Sequence, residues 1–475
     1  MLRSRNTRAL LVLLFLCVGS RLLTGVWYIE DPDSLRFALG VLDFDVTRLQ
    51  PHFPGYPVFI AIVSVFTSIS GSSGLGFALV GGLSLFALIL AGLRFCTTRI
   101  DTPEGLLLAT LFFFNPMIWL MSNRYMPDLM GTAILLWILA LTVRNDHAPR
   151  RDLYIGIALT GILAGVRLSY VPFAAIPFLI AFVRSRRTPA SLGLLILGIG
   201  IWLVPMIVDA GWDQLVLSAQ QQTLGHFTDF GGTVETLPDM EERRIAVVKG
   251  IVADGVGGYW QHRSPITLIV TVGLIILIAR GAWWMFSRET DGLVIIVLAM
   301  CIYIAWILLY QNVVFQTRHI LPLIPILLTL AWAGGVALMK NGFAGRFITI
   351  TLLIAYAATG IVLATQHTLP TAIAQVAEHL KKQNNDKRTI LTSSLVSFYM
   401  QTHGVPGTYI DAESIPHSFS SRNHDDLIVV GWYSSLVDKR PQRILHFHHN
   451  PYVNSIWPEV PLYEYDGTFE SGSLK

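Results

Sequence analysis

Charged side chains are scarce in this chain of 475 residues. Asp, Glu, Lys and Arg together make up 14% of the sequence and hydrophobic residues 53%, whereas a soluble domain has roughly 25% charged residues. This composition excludes an ordinary soluble protein and predicts that most of the chain lies in lipid. The net charge is only +3, with the basic residues dispersed over many loops, so no basic stripe indicates nucleic acid. The sequence also lacks an internal repeat and a low-complexity segment.

Cysteine is equally scarce, and its three positions are Cys17, Cys96 and Cys301. All lie in apolar runs, so their spacing predicts neither a disulfide framework nor a metal site, and we interpret them as small core residues. Bulky residues precede Cys17 where lipoprotein processing requires small ones. Residues 9–27 are therefore expected to form a retained first helix, which starts in the cytoplasm after a short run of arginines.

Apolar runs of about 20 residues, enough to cross a bilayer, recur along the chain at 9–27, 75–95, 105–121, 126–143, 190–208, 266–286, 291–311, 319–339 and 347–366. Residues 153–183 are also apolar, but Arg167 interrupts them and arginines flank both ends. Because both ends are expected in the cytoplasm, we predict a hairpin of two short helices. Residues 54–70 are predicted to lie in the outer interface or to dip part-way in, since a full crossing would place Arg94 and Arg99 outside.

This topology predicts an all-α bundle of about eleven spans, with the N-terminus inside and the C-terminus outside. It places in the cytoplasm the basic residues Arg94, Arg99, Arg144, Arg150, Arg151, Arg184, Arg186, Arg187, Arg280, Arg288, Lys340 and Arg346. The segments left on the outer face, where function is expected, are 28–53, 123–128, 209–265 and everything after 366. Within the third of these, Trp212 to Leu224 predicts an amphipathic helix that covers the site.

The tail changes in composition and carries short runs of aliphatic residues. These runs predict strands at 389–391, 427–430 and 443–447. The tail is therefore expected to be a small extramembrane α/β domain of roughly 105 residues, near the lower limit for an independent core. The predicted domains are a transmembrane module at 1–366, with outer loops 28–74 and 209–265, and the soluble extracytoplasmic domain at 367–475.

The first outer segment carries a concentration of acids. Glu30, Asp31 and Asp33 follow directly after the first helix. From spacing alone they could be a helix exit and an N-cap, with Asp33 preceding an apolar helical pattern. A Pro-rich segment, His52 to Pro57, follows on the same predicted side of the membrane.

This segment resembles the first periplasmic loop of the GT-C membrane glycosyltransferases, the group of the protein O-mannosyltransferases and aminoarabinose transferases, which use polyprenyl-phosphate sugars. Asp33 lies four residues before Phe37-Ala38, as the family's acid lies before an aromatic-Ala pair. His52-Phe53-Pro54-Gly55-Tyr56-Pro57 is similar to the family's His-Pro-Pro-Gly-Tyr-Pro segment. Two departures are Phe53 in place of Pro, and Ser34 where many relatives have a second acid, for which Asp31 is the nearest substitute.

Two shorter matches extend the resemblance. Asn123 to Asp128 is similar to an Arg-Tyr-x-x-Pro-Asp outer turn, and Arg318-His319 opens a late helix, as in the family. The resemblance covers residues 1–185 most specifically and implies a GT-C type bundle.

The implied reaction transfers a sugar from a polyprenyl-phosphate donor to an acceptor hydroxyl, with inversion, at the outer face of a prokaryotic plasma membrane. The acceptor is a glycan, lipid or protein. Asp33 is the candidate base that takes the hydroxyl proton, with Asp31 as the second acid. The leaving lipid phosphate needs positive partners, for which the candidates are His52, Arg124, Arg167 and Arg318. Further candidates for the substrate pocket are Tyr56, Tyr125, Asp128 and His319.

Several of these residues admit a structural interpretation. Arg167 could extend to the outer interface, and His52 could cap the interfacial helix. In the run from His446 to His449 only His446 and His448 share the face of a strand, and spacing fixes no third ligand, so we interpret it as structural. No metal site is predicted, although a divalent cation is left open as a cofactor. The acids of the long outer loop are interpreted as a solvated face: Asp229, Glu235, Asp239, Glu241 and Glu242.

Two rival classes remain. A transporter or flippase of lipid-linked sugars would also be polytopic and handle lipid phosphate, but transporters usually show related halves and polar groups at mid-membrane depth. Neither feature is present in this sequence. A membrane scaffold would leave the residues between Asp33 and Pro57 without a purpose.

Overall fold

The computed structural model describes residues 2–143, 148–228, 232–261, 263–287, 291–415, 419, 426–453 and 457–466. Arg144 and Arg288 of the predicted cytoplasmic set, and Asp229 of the long outer loop, lie outside the described residues. The chain divides into two compact units. One comprises Met1–Val26 and Arg36–Thr365, and the other comprises Trp27–Leu35 and Gln366–Lys475.

Most of the described residues before 368 lie in helices. They are α1 Leu2–Leu23, α2 Pro32–Leu42, α3 Pro57–Ser70, α4 Ser73–Phe95, α5 Pro103–Phe113, α6 Pro116–Asn123, α7 Asp128–Thr142, α8 Arg150–Arg167, α9 Val171–Ser185, α10 Thr188–Ala210, α11 Trp212–Thr228, α12 Met240–Lys249, α13 Ile266–Phe286, α14 Asp291–Tyr310, α15 Ile324–Met339 and α16 Phe343–His367. Shorter 3₁₀ segments are Val46–Arg48, Leu168–Tyr170 and Thr317–Leu323, and a π-helix covers Gly250–Gly257. The helix predicted from Trp212 to Leu224 is observed as α11, and its amphipathic character and its role in covering the site stay predictions. Helix α12 was not predicted.

The helices are those of an integral membrane protein. Among the described residues, 8 helical segments are long and apolar enough to cross a membrane, or 9 if one bent pair is counted as a single span. The count of about eleven spans is therefore not confirmed. Helices α3 and α7 have 14 and 15 residues, or about 21 to 23 Å, which is shorter than a hydrocarbon core of roughly 30 Å.

The span predicted at 105–121 is built from two helices in the structure. Helices α5 and α6 meet at a bend of 59°. Pro116 takes the first position of α6 and has no N–H with which to continue α5, while the Asn115 side chain caps α6 by accepting the Ile118 N–H at 3.0 Å. The same side chain donates to the Gly255 carbonyl at 2.7 Å, which ties the break to the π-helix.

The predicted hairpin at 153–183 is observed as α8 and α9. Leu153 and Ile157, at the start of α8, pack in one cluster with Ala181, near the end of α9. A straight helix would separate residues 153 and 181 by about 42 Å. Arg184 also donates to the carbonyl of Thr142, at the end of α7, at 3.5 Å. Both ends of the hairpin therefore lie at one end of the bundle, and its turn lies at the other.

Small residues allow α13 and α15 to approach closely. A Cβ added at Gly281 would overlap the carbonyl oxygen of Leu330, and one added at Gly334 would overlap that of Leu277. Such reciprocal contacts between glycines and carbonyls are common where membrane helices pack backbone against backbone. This packing fixes α15, whose preceding 3₁₀ segment carries Arg318 and His319.

The tail is an α/β domain, as predicted. Its helices are α17 Ala372–Gln383 and α18 Ser394–Thr402, and its strands are β1 Thr389–Thr392, β2 Thr408–Asp411, β3 Asp426–Val430, β4 Arg443–His448 and β5 Glu459–Asp466. The sheet order is β2-β1-β3-β5-β4. Strand β1 is parallel to β2 and β3, whereas β5 is antiparallel to β3 and β4. The predicted strands correspond to β1, β3 and β4, and the sequence pattern missed β2 and β5.

Candidate active site

Asp31 caps α2, the helix that follows α1. Its Oδ1 accepts the Ser34 N–H at 2.7 Å, and its carbonyl accepts the Leu35 N–H at 3.0 Å. Pro32 occupies the first helical position, where its fixed φ favours helix and its missing N–H costs nothing. The N-cap interpretation is therefore correct for this segment, but the cap is Asp31 and not Asp33.

Asp33 has different surroundings from Asp31. It lies in the first turn of α2 and is half-buried, whereas Asp31 is fully buried. A general base must come within hydrogen-bond reach of the proton it removes. Of the two predicted acids, Asp33 is thus the more accessible, because Asp31 is enclosed and one of its oxygens is occupied by the helix cap.

Glu30, the third acid, is paired within the second unit. Its Oε1 lies 2.7 Å from Nε2 of His367, and the two side chains are 1% and 0% exposed. The Tyr28 hydroxyl donates to the carbonyl of His367 at 2.5 Å, and the Tyr399 hydroxyl donates to that of Ile29 at 2.5 Å. Glu30 therefore anchors this segment. Sequence reasoning missed the pair because its partners are 337 positions apart.

A second cluster lies within the first unit, at the turn of the hairpin. Arg167 Nη2 lies 3.1 Å from Asp128 Oδ1, with side chains that are 6% and 0% exposed. The Tyr170 hydroxyl donates to the same oxygen at 3.2 Å. Gly131 leaves room for this arrangement, since a Cβ there would lie 2.9 Å from the Cβ of Arg167. The interpretation that Arg167 merely extends to the interface is therefore wrong, because its guanidinium is buried in protein and ion-paired.

Two residues of the His52 to Pro57 segment join this cluster. Arg167 Nη1 donates to the Tyr56 hydroxyl at 3.2 Å, and that hydroxyl lies 2.9 Å from Nε2 of His52. Phe37 packs against both rings, with centroids 4.9 Å from Tyr56 and 5.9 Å from His52. The structure therefore connects four of the predicted residues, His52, Tyr56, Asp128 and Arg167, which three separate segments supply.

Arg318 and His319 contact residues that neighbour this cluster. The buried guanidinium of Arg318 donates to the sulfur of Met126, two residues before Asp128. The carbonyl of His319 accepts the Tyr303 hydroxyl at 2.8 Å. The Tyr303 ring in turn packs edge-on against Tyr170, with centroids 6.1 Å apart. His319 is thus linked to the cluster through Tyr303, whereas Arg318 contacts the turn that precedes Asp128.

The turn before α7 supplies the remaining predicted residues. The Tyr125 hydroxyl donates to the carbonyl of Val26 at 2.6 Å, and its ring stacks on Phe77 with centroids 4.2 Å apart. Arg124 is half-buried at the end of α6. Tyr125 therefore positions the turn, and Arg124 is the more exposed of the predicted arginines in this region.

Arg21 is a buried cation that the sequence reasoning missed. Its Nε donates to the Ser122 hydroxyl at 2.8 Å, and its Nη2 donates to the carbonyl of Phe113 at 3.2 Å. The guanidinium also lies over the Trp119 ring, 4.0 Å from the centroid. An arginine inside the apolar run at 9–27 was the available signal, since ionisable residues in membrane helices are usually functional or paired.

A cavity of about 500 Å³ lies elsewhere, against the start of α8. It is lined by residues that include Trp137, Arg94 and Asp152, and the last two form an ion pair at 2.5 Å. Asp152 and Arg167 occupy opposite ends of α8, about 22 Å apart along the helix. This cavity is therefore not the outer cavity on which the four cationic residues were expected to converge, and that convergence stays a prediction.

Comparison with solved structures decides the fold. ArnT from Cupriavidus metallidurans, solved bound to undecaprenyl phosphate, aligns over 99% of this chain and 99% of its own, with 11% identity and a TM-score of 0.52. This chain has the fold of ArnT. The apo state of ArnT aligns over 97% of both chains, with 12% identity and a TM-score of 0.51.

The match to ArnT confirms the predicted GT-C type fold. The arabinofuranosyltransferase AftD from Mycobacteria also aligns, over 98% of this chain and 40% of its own, with 13% identity and a TM-score of 0.44. No protein-family model matches the chain, and neither does any curated protein. The roles of the individual site residues within this fold stay predictions.

Proposed function

We propose that this chain is a glycosyltransferase that moves a sugar from a polyprenyl-phosphate donor to an acceptor hydroxyl at the outer face of a prokaryotic plasma membrane. The observation that carries the proposal is the match over almost the entire chain to ArnT, which was solved with undecaprenyl phosphate bound. The resemblance of the first outer loop to the same group supports it independently, because that resemblance was drawn from residues and not from shape.

The proposed donor site uses the cationic residues His52, Arg124, Arg167 and Arg318. Arg167 has a geometry that suits a phosphate. Asp128 and Tyr56 hold its two terminal nitrogens, while its Nε has no hydrogen-bond partner among the described residues. A buried N–H without a partner is costly, and a phosphate oxygen would satisfy it with a charge-assisted bond. In this proposal Asp128 orients the guanidinium and leaves its Nε available to bind the phosphate.

The proposed chemistry is one direct displacement with inversion. The acceptor oxygen bonds to the anomeric carbon as the bond from that carbon to the phosphate oxygen breaks. The lipid phosphate leaves with the bonding electrons, and Asp33 receives the hydroxyl proton. Positive partners stabilise the charge that develops on the phosphate. Asp31 holds the start of α2, the helix that carries Asp33, through its cap.

Transfer can be separated from transport by one experiment. The purified chain, reconstituted in vesicles, is incubated with undecaprenyl-phosphate-linked sugars and a hydroxyl acceptor, and the lipid products are analysed by mass spectrometry. A transferase converts the donor to free undecaprenyl phosphate. A flippase moves the intact donor between leaflets without breaking the bond. Recovery of intact donor on the opposite leaflet, with no free undecaprenyl phosphate from any sugar tested, would overturn the proposal.

A further inference from the structure

The edge of the tail sheet carries two histidines on one face. Strand β4 is the last strand in the sheet order and pairs antiparallel with β5. In this register His448 lies opposite Glu459, and His446 lies opposite Pro461. Because alternate residues of a strand share a face, His446, His448 and Glu459 project from the same side. Strand β4 supplies only two of these side chains, and the third, Glu459, comes from the neighbouring strand β5.

The three side chains are close enough to share one ion. His446 Nδ1 lies 2.6 Å from Glu459 Oε1. The two imidazole rings are nearly parallel, at 10°, with centroids 6.1 Å apart. One ligand atom from each side chain lies within 4.8 Å of the others. Ligands around a tetrahedral zinc ion stand roughly 3.4 Å apart, so small side-chain rotations would complete the geometry.

The backbone beneath the cluster is held in place. The carbonyl of His448 accepts the Gln375 side-chain amide at 3.0 Å, and His449 Nε2 lies 2.9 Å from the carbonyl of Leu369. The ladder to β5 continues through all of β4. The ligands therefore extend from a fixed hairpin scaffold, which limits the conformational entropy that metal binding would cost.

We propose that His446, His448 and Glu459 form a site for a zinc-class divalent cation, with water in the fourth position. Two neutral imidazoles and a carboxylate match the ligand preference of zinc, and three protein ligands leave one position open. The ion replaces the His446 to Glu459 hydrogen bond and links the edge strand to β5. The site belongs to the tail and does not depend on the proposed transferase function.

A zinc titration of the purified full chain tests the site. After treatment with a chelator, the protein competes with a chromophoric indicator for Zn²⁺. The wild type is expected to bind one equivalent of Zn²⁺. Each of the variants His446→Gln, His448→Gln and Glu459→Gln should lower the affinity for Zn²⁺ by about 10-fold or more, because each removes one of three ligands. His379→Gln is the matched control. Its ring contacts Phe447, on the opposite face of β4, so its affinity should match the wild type.

A second readout is the melting temperature. Zn²⁺ should raise the melting temperature of the wild type and of His379→Gln, because binding to the folded state stabilises it. The increase should be clearly smaller for Glu459→Gln, which keeps the side-chain shape but binds Zn²⁺ more weakly. One equivalent that persists with unchanged affinity in all three cluster variants, or the lack of a stoichiometric equivalent in the wild type, would rule the site out.

Discussion

Asp33 and Asp31 lie two positions apart, but their surroundings predict different consequences of mutation. Asp33→Asn removes the proposed base without changing shape, so we expect turnover to fall by roughly 10²- to 10⁴-fold with undecaprenyl-phosphate binding retained. Asp31→Asn is the matched control, because an asparagine oxygen can still accept the Ser34 N–H and keep the cap. The turnover of both variants is measured as the release of undecaprenyl phosphate. If Asp31→Asn abolishes turnover and Asp33→Asn does not, the base was assigned two residues too late.

The ion pair of Arg167 and Asp128 predicts a strong effect on stability. Asp128→Asn would leave a buried guanidinium without its carboxylate, and breaking a buried pair from one side costs about 3–5 kcal/mol. Replacing both residues, as Asp128→Asn with Arg167→Met, should recover part of that loss. Thermal unfolding in detergent compares the two variants. Equal melting temperatures for the wild type and the single variant would show that the pair does not hold the hairpin turn.

At the scale of elements, the glycine contact of α13 with α15 predicts a contrast between two identical substitutions. Gly281→Ala forces a methyl group against the Leu330 carbonyl, and overpacking costs typically about 1–3 kcal/mol. Gly193→Ala, in α10, meets nothing within 4 Å and should leave stability unchanged or raise it slightly. The melting temperatures of the two variants test this contrast. A neutral Gly281→Ala would mean that these helices are not in backbone contact.

The hairpin predicts opposite accessibility for its turn and for the start of α10. In a Cys301→Ser background, Leu168→Cys should react with an impermeant thiol reagent added outside intact cells, because Leu168 is exposed at the turn. Thr188→Cys, exposed just after α9, should react only after the membrane is opened. The reverse pattern would invert the predicted topology. Labelling of both from outside would instead mean that α8 and α9 do not return to the starting side.

Local signals account for the elements that were predicted correctly. Arginines on both sides of 153–183 required a return to the starting side, and the structure has that hairpin. Asn115-Pro116 was an equally good signal for a helix start, but the apolar run around it concealed the break between α5 and α6. Strand β5 was missed because Pro461 lies within it, and a proline inside a short run argues against a strand when the sequence is read alone.

For the whole molecule, the sequence by itself determined the membrane environment, the hairpin and the fold class. The free energy of moving apolar side chains into lipid, and the preference of arginines for the cytoplasmic side, depend on each segment alone and add along the chain. The motif of the first loop likewise lies within a few dozen residues. Tertiary structure alone decided the partners: Asp128 for Arg167, His367 for Glu30, and Glu459 for His446. A periodic pattern shows which face of an element is apolar. It does not show which distant element packs against that face, because that depends on the packing of the whole chain.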